Sequence, residues 1–158
     1  MKKLITALAM AAAAAMLGSA HAADKDVVEA LYSQVLNAIT SPDLPSRIEA
    51  VLAPNWQSIG DYTSPVKTRD QFVTQLQRMG TIAPNFTWKV EEVLSIGNRF
   101  IVRSRARATP TGTFMGVPAT GRGFDIMAID IHTVENNKIV LSYHIEDWHR
   151  AIEQVRGK

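Results

Sequence analysis

The chain has 158 residues, with 17 lysines and arginines, 15 aspartates and glutamates, four histidines and no cysteine. The lack of cysteine excludes disulfides, thiolate zinc sites, cysteine nucleophiles and a lipid anchor on a lipobox cysteine. Residues 1–22 hold two of the 17 basic residues and none of the 15 acidic ones, so the rest balances at 15 against 15 and gives no support for nucleic acid or an anionic membrane as a partner.

Lys2 and Lys3 precede an apolar run from Leu4 to Leu17, and small residues then end at Ala20-His21-Ala22. That pattern predicts a cleavable secretory signal, a mature protein starting at Ala23, a periplasmic or secreted location, and no membrane insertion after cleavage. The remaining residues, 23–158, are enough for one compact domain.

Val28, Leu31, Val35 and Ala38 share a helical stripe that Val27, Tyr32 and Ile39 widen, with Asp24 or Asp26 placed to cap it. Ser41-Pro42-Asp43-Leu44-Pro45 breaks this helix. Ser46 with Glu49 then suggests a capping box for a short helix from Arg47 to about Ala53, stopped before Pro54. Thr68 with Gln71 does the same for a third helix, which buries Phe72, Val73, Leu76 and Met79 and ends at Gly80. From Phe86 the period changes to two, which predicts strands over 87–95, 100–108, 123–134 and 139–145. Gly97-Asn98 and Asn136-Asn137 mark tight turns, and 109–121 is a longer excursion. Helices first and neighbouring strands after them argue an α+β fold with a mostly antiparallel sheet over the helices.

Three stretches carry chemistry. Arg103, Arg105 and Arg107 share one strand face, which suits either an anion grip or a solvated outer face with carboxylates across the sheet. In the next strand Ile126, Ala128, Asp130 and His132 share a face, either as a polar patch in a pocket or as a surface ladder. In YHIEDWHR, residues 143–150, His144 and Glu146 project one way while Tyr143, Ile145 and Asp147 project the other. The spacing of these histidines and carboxylates matches no specific metal site. Asp147 has two readings: it can cap a last helix carrying Trp148, Ile152 and Val155, or it can be a desolvated general base.

The segment GTFMGVPATGRGFDIMAIDIHTVENNKIVLSYHIEDWHRAIEQV resembles the SnoaL-like polyketide cyclases, or ester cyclases. Their second half runs G-x-F-x-G-x-P-x-T-G-R, a strand, N/D-G/N-K-I, then H-x-x-D-W. The resemblance covers residues 99–155 and implies a nuclear transport factor 2-like cone: N-terminal helices packed into a curved sheet around an apolar cavity. It also implies Asp147 as the acid and base of a ring-closing or isomerising reaction, with His144 at the motif histidine and His132 as a pocket residue, either histidine able to donate to an oxyanion. Trp148, Tyr143 and Asp130 are then the residues expected to touch an apolar ketone- or ester-bearing ligand. Such chemistry needs no metal or organic cofactor, because a tuned carboxylate suffices for an activated C–H. The alternative is a non-catalytic binding protein using the same cavity. A homodimer is expected in either case, through a sheet face carrying Val102, Ala106, Met127 and Ile129.

Overall fold

The computed structural model describes residues 22–158; all but the last residue of the expected secretory signal lies outside the described residues. A first helix, α1, occupies 22–30 and continues as a π-helical segment over Leu31–Leu36. It is already running at residue 22, so neither Asp24 nor Asp26 is its N-cap. The elements that follow are α2 (Leu44–Val51), β1 (Leu52–Ile59), β2 (Lys67–Thr68), α3 (Arg69–Ile82), β3 (Thr87–Ile96), β4 (Arg99–Ala108), β5 (Phe124–Glu135), β6 (Lys138–Glu146) and α4 (Trp148–Arg156).

The six strands form one mixed sheet in the order β2-β1-β6-β5-β4-β3. Only the β1–β6 pair is parallel; the others are antiparallel. The fold is therefore α+β, four helices with a curved, unclosed sheet. The alternation from residue 87 onward locates β3 to β6 to within a residue or so at each end. Gly97, Asn136 and Asn137 have positive φ, as the tight hairpin turns there require.

The first half of the chain departs further from its sequence pattern. A strand, β1, stands between the second and third helices, and α2 starts at Leu44, with Asp43 at its N-cap and no side-chain cap bond, so Ser46 is inside the helix. The third helix does have its capping box: Thr68 accepts from the Gln71 amide while the Gln71 side chain accepts from Thr68 N. It extends past Gly80 to Ile82.

Alternation gives the sheet two distinct faces. Phe100, Val102, Ala106, Ile126, Ala128, Asp130 and His132 are buried on the concave side, against α1, α2 and α3. Arg103, Arg105, Arg107, Met127 and Ile129 are exposed on the convex side. Val102 pairs with Asp130 and Ala106 with Ile126, so Val102 and Ala106 do not share a face with Met127 and Ile129. The arginine ladder is satisfied across the sheet: Arg103 pairs with Glu92 at 3.3 Å, and Arg105 and Arg107 both hold Asp125. Of its two readings the solvated face is the one formed. At the free edge, β3 is covered by Asn37, whose side chain accepts from Trp88 N at 2.6 Å and donates to Trp88 O at 2.9 Å, a substitute for a neighbouring strand.

Candidate active site

The concave face of β1, β5 and β6 and the facing sides of α1 and α3 enclose a cavity of about 80 Å³. Leu36, Ile39, Phe72, Leu76, Phe86 and Trp88 give it apolar walls, while Asp130, His132, Ser142, His144, Glu146 and Lys67 bring polar groups to it. The polar set follows from strand alternation: Asp130 and His132 are two apart on β5, and Ser142, His144 and Glu146 are two apart on β6. Antiparallel register sets Asp130 beside His144, His132 beside Ser142 and Ala128 beside Glu146.

Tyr32 reaches this group from α1. It sits in the π-helical segment, where Asn37 N donates to Tyr32 O at 3.0 Å. A π-turn widens the helix, and such segments often occur at functional sites. The Tyr32 hydroxyl donates to Asp130 Oδ2 at 2.7 Å and lies 3.0 Å from His132 Nε2. His132 Nδ1 is 2.8 Å from Ser142 Oγ, which accepts from Trp56 Nε1 at 3.0 Å. A second group lies alongside: His144 Nδ1 contacts both Glu146 oxygens at 3.0 and 3.1 Å, and Trp148 Nε1 donates to Glu146 Oε2 at 3.0 Å.

Burial sets the electrostatics. Asp130 is 8% exposed, and its carboxyl is pushed up to about 7, first by desolvation and further by Glu146, with the Tyr32 hydrogen bond and His144 acting the other way. His132, 1% exposed, is held neutral: desolvation, aided by His144, lowers it to about 3. The Tyr32 phenol is pushed well above its ordinary value by burial and then by the Asp130 charge. Burial also lowers the Lys67 ammonium, and Glu146 partly opposes this.

Asp130, His132, His144 and Trp148 of the sequence candidates meet at this cavity. Asp147 and Tyr143 do not. Asp147 is exposed and is the N-cap of α4, accepting from Arg150 N at 3.0 Å. Tyr143 lies on the convex face with Ile59, Ile129 and Ile145, around a shallow groove. The reason is parity: on a strand these two residues point opposite to His144 and Glu146. Tyr32, Trp56, Lys67 and Ser142 carried no local signal of a site, although Ser142 could have been found as the residue two before His144. Among the described residues, no group of three or more histidine, aspartate or glutamate side chains is arranged to hold a metal ion.

A helix-filled cone with a buried carboxyl, a tyrosine and histidines around a largely apolar cavity has the architecture of a nuclear transport factor 2-like protein. A family model of SnoaL-like polyketide cyclases matches residues 28–155, and the chain belongs to that family. The structure is similar to a candidate SnoaL-like polyketide cyclase from Jannaschia sp. CCS1, with a TM-score of 0.75 at 16% identity over 87% of this chain and 94% of that one. It is also similar to IdmH, a candidate polyketide cyclase from Streptomyces antibioticus, with a TM-score of 0.71 at 26% identity over 84% and 98%. An LEH-like epoxide hydrolase of M. tuberculosis shares the fold, with a TM-score of 0.63 at 16% identity over 85% and 90%. A comparison with curated proteins gives no match.

Proposed function

We propose that this chain is a cofactor-independent acid/base enzyme of the cyclase and isomerase kind, acting on a compact, mostly apolar molecule with a ketone or ester carbonyl. The observation that carries the reading is Asp130: a buried carboxyl with a value of about 7, on the wall of an apolar cavity. A general base works best when its pKa lies near the working pH. Ionised Asp130 takes a proton from the carbon beside the carbonyl, and Lys67, a cation on the same cavity wall, offsets the charge developing on the carbonyl oxygen. Protonated Asp130 then returns the proton either to a different carbon, which completes an isomerisation, or, when the enolate carbon bonds to a second carbonyl carbon of the same molecule and opens its C=O π bond, to the resulting alkoxide, which completes a ring closure. Asp130 takes the role that the family motif suggested for Asp147. His144 with Glu146 orients the ligand, and Trp148 closes one side.

The cavity favours small substrates, since about 80 Å³ corresponds to several water molecules. The non-catalytic binding alternative draws support from Asp147, which is engaged as a helix cap. Exchange separates the two readings. The protein is incubated in deuterium oxide with a panel of small cyclic ketones and β-keto esters, and label beside the carbonyl is followed by NMR. Asp130→Asn should slow exchange about a hundredfold or more, and Asp147→Asn should leave it unchanged. Exchange that is absent, or insensitive to Asp130→Asn, leaves the binding reading.

We infer two further properties from the sequence and the convex face. The protein is exported to the periplasm; mass spectrometry of the periplasmic protein should find Ala23 at its start, and a retained leader would refute this. It also forms a homodimer through the row Leu94–Ile101–Ile131–Tyr143–Ile59, which register places side by side across the sheet, with Ile129 and Ile145 beside it.

A further inference from the structure

Tyr32 has one hydroxyl proton and two neighbours that could accept it, Asp130 Oδ2 at 2.7 Å and His132 Nε2 at 3.0 Å. A phenol donates only once, and a neutral imidazole carries one N–H and one lone pair. If His132 holds its hydrogen on Nε2, it donates to the Tyr32 oxygen and the phenol proton goes to Asp130. If it holds its hydrogen on Nδ1, Nε2 competes with Asp130 for the phenol proton.

The other end of the ring decides. Ser142 is 3% exposed, and its Oγ accepts from Trp56 Nε1, an indole that can only donate. If Ser142 also accepted from His132 Nδ1, its own O–H would be buried without an acceptor, a cost that native structures avoid. Ser142 therefore donates to Nδ1, and His132 carries Nε2–H. All the bonds then point the same way: Trp56 and Ser142 to His132, His132 to Tyr32, and Tyr32 to Asp130 Oδ2.

Protonation of Asp130 need not reverse this direction, because the carboxyl has a second oxygen. Asp130 Oδ1 makes no hydrogen bond, yet Ser104 Oγ is the one buried unpartnered side-chain polar atom among the described residues. Oδ1 thus keeps an open surface, and Asp130 lines the cavity. We propose that Asp130 takes up and releases its proton through Oδ1 alone, and that Trp56, Ser142 and His132 are positioning residues that keep the Tyr32 proton on Oδ2 in both protonation states. The charged and titratable groups facing Asp130 are Tyr32 from α1, His132 on its own strand and His144 and Glu146 from β6; β4 contributes only Val102 as its cross-strand neighbour. The catalytic consequence rests on the acid/base reading above, but the bond direction does not.

Long-range proton–nitrogen NMR of the histidine-labelled protein reads the tautomer without any substrate. At about pH 5 and about pH 9, either side of the Asp130 value, His132 should show Nε2–H with Nδ1 as acceptor. An Nδ1–H tautomer at either pH in the unaltered protein would overturn the proposal. In Ser142→Ala the serine proton no longer fixes the direction, and a water in the space left by its hydroxyl, on the cavity wall, can accept from Nδ1 as well as donate to it. The tautomer should then become pH-dependent, with Nδ1–H appearing at about pH 5, and the Asp130 titration should move up by about half a pH unit, a threefold change in proton affinity. Ser142→Thr, which keeps the hydroxyl, should restore the original behaviour. A Ser142→Ala protein whose tautomer is the same at both pH values would remove Ser142 from the mechanism. A failed carbonyl-exchange experiment with Nε2–H intact would instead defeat only the enzymatic reading.

Discussion

Replacing Asp130 by asparagine removes a titration while keeping an acceptor for Tyr32. In the folded chain the Asp130 carboxyl is raised from 3.8 to about 7, so between these values the native state holds a proton that the unfolded state has released. Its contribution is fully present below 3.8 and is lost as pH rises through about 7. At about 1.4 kcal/mol per pH unit the loss amounts to about 4 kcal/mol. His132 works in the opposite sense. Lowered from 6.5 to about 3, it contributes stability above 6.5 that is lost as pH falls toward 3. The two slopes largely cancel between 3.8 and 6.5. In Asp130→Asn that cancellation ends, and stability should climb with pH from about 3 to 6.5 on His132 alone. The amide costs about 1 kcal/mol for imperfect bonding at Oδ1, so the variant should be about 1 kcal/mol less stable than the parent at about pH 4 and about 3 kcal/mol more stable at about pH 8. Urea unfolding followed by tryptophan fluorescence, run on both proteins over this range, measures the difference curve, from which titrating groups not coupled to Asp130 drop out. A difference that stays flat to within about 0.5 kcal/mol would show that Asp130 titrates like a solvated carboxyl, and the site as described would fail with it.

Three further outcomes follow from named contacts. Ser104 Oγ is buried without a partner, so Ser104→Ala should be neutral or stabilising by up to about 1 kcal/mol in urea unfolding; a loss of more than that would mean the hydroxyl has a partner. Asp147→Ala removes the N-cap of α4 and should cost about 1 kcal/mol while leaving the carbon-13 titration of the Asp130 carboxyl in place; a shift of that titration would bring Asp147 into the site. Ile145, 67% exposed beside the apolar row of the convex face, would put a buried charge into a dimer built on that face when replaced by glutamate, so Ile145→Glu should yield monomers in sedimentation velocity, and an unchanged oligomeric state would place the interface elsewhere.

The two strands that carry Asp130, His132, Ser142, His144 and Glu146 were legible because side chains alternate between their two faces. The alternation in FDIMAIDIHTV puts Asp130 and His132 together, and the same parity in YHIEDWHR turns His144 and Glu146 inward. It also turns Asp147 away, and there the motif was more persuasive than the geometry. β1 was not legible because Pro54 reads as a helix stop. The strand tolerates Pro54 because its parallel pairing with β6 is irregular between Leu52 and Gln57, where no ladder bond from the proline nitrogen is needed.

Tyr32 was hidden for a different reason. Read at 3.6 residues per turn it only widens an apolar stripe, whereas the π-helical register over Leu31–Leu36 buries Tyr32 and Leu36 alongside Leu31 and Val35. Its hydroxyl partners lie 98 and 100 residues further along the chain, and Trp56 is 86 residues from Ser142. Local periodicity can say which face a residue occupies but not which residue will stand opposite it. The bond direction that aims a proton at Asp130 exists only once α1, β1, β5 and β6 have all met. For the same reason the chain can carry a buried acid and a buried neutral histidine together: each would destabilise the fold over its own pH range, and their contact through Tyr32 gives a partner to Asp130 Oδ2 and to His132 Nε2.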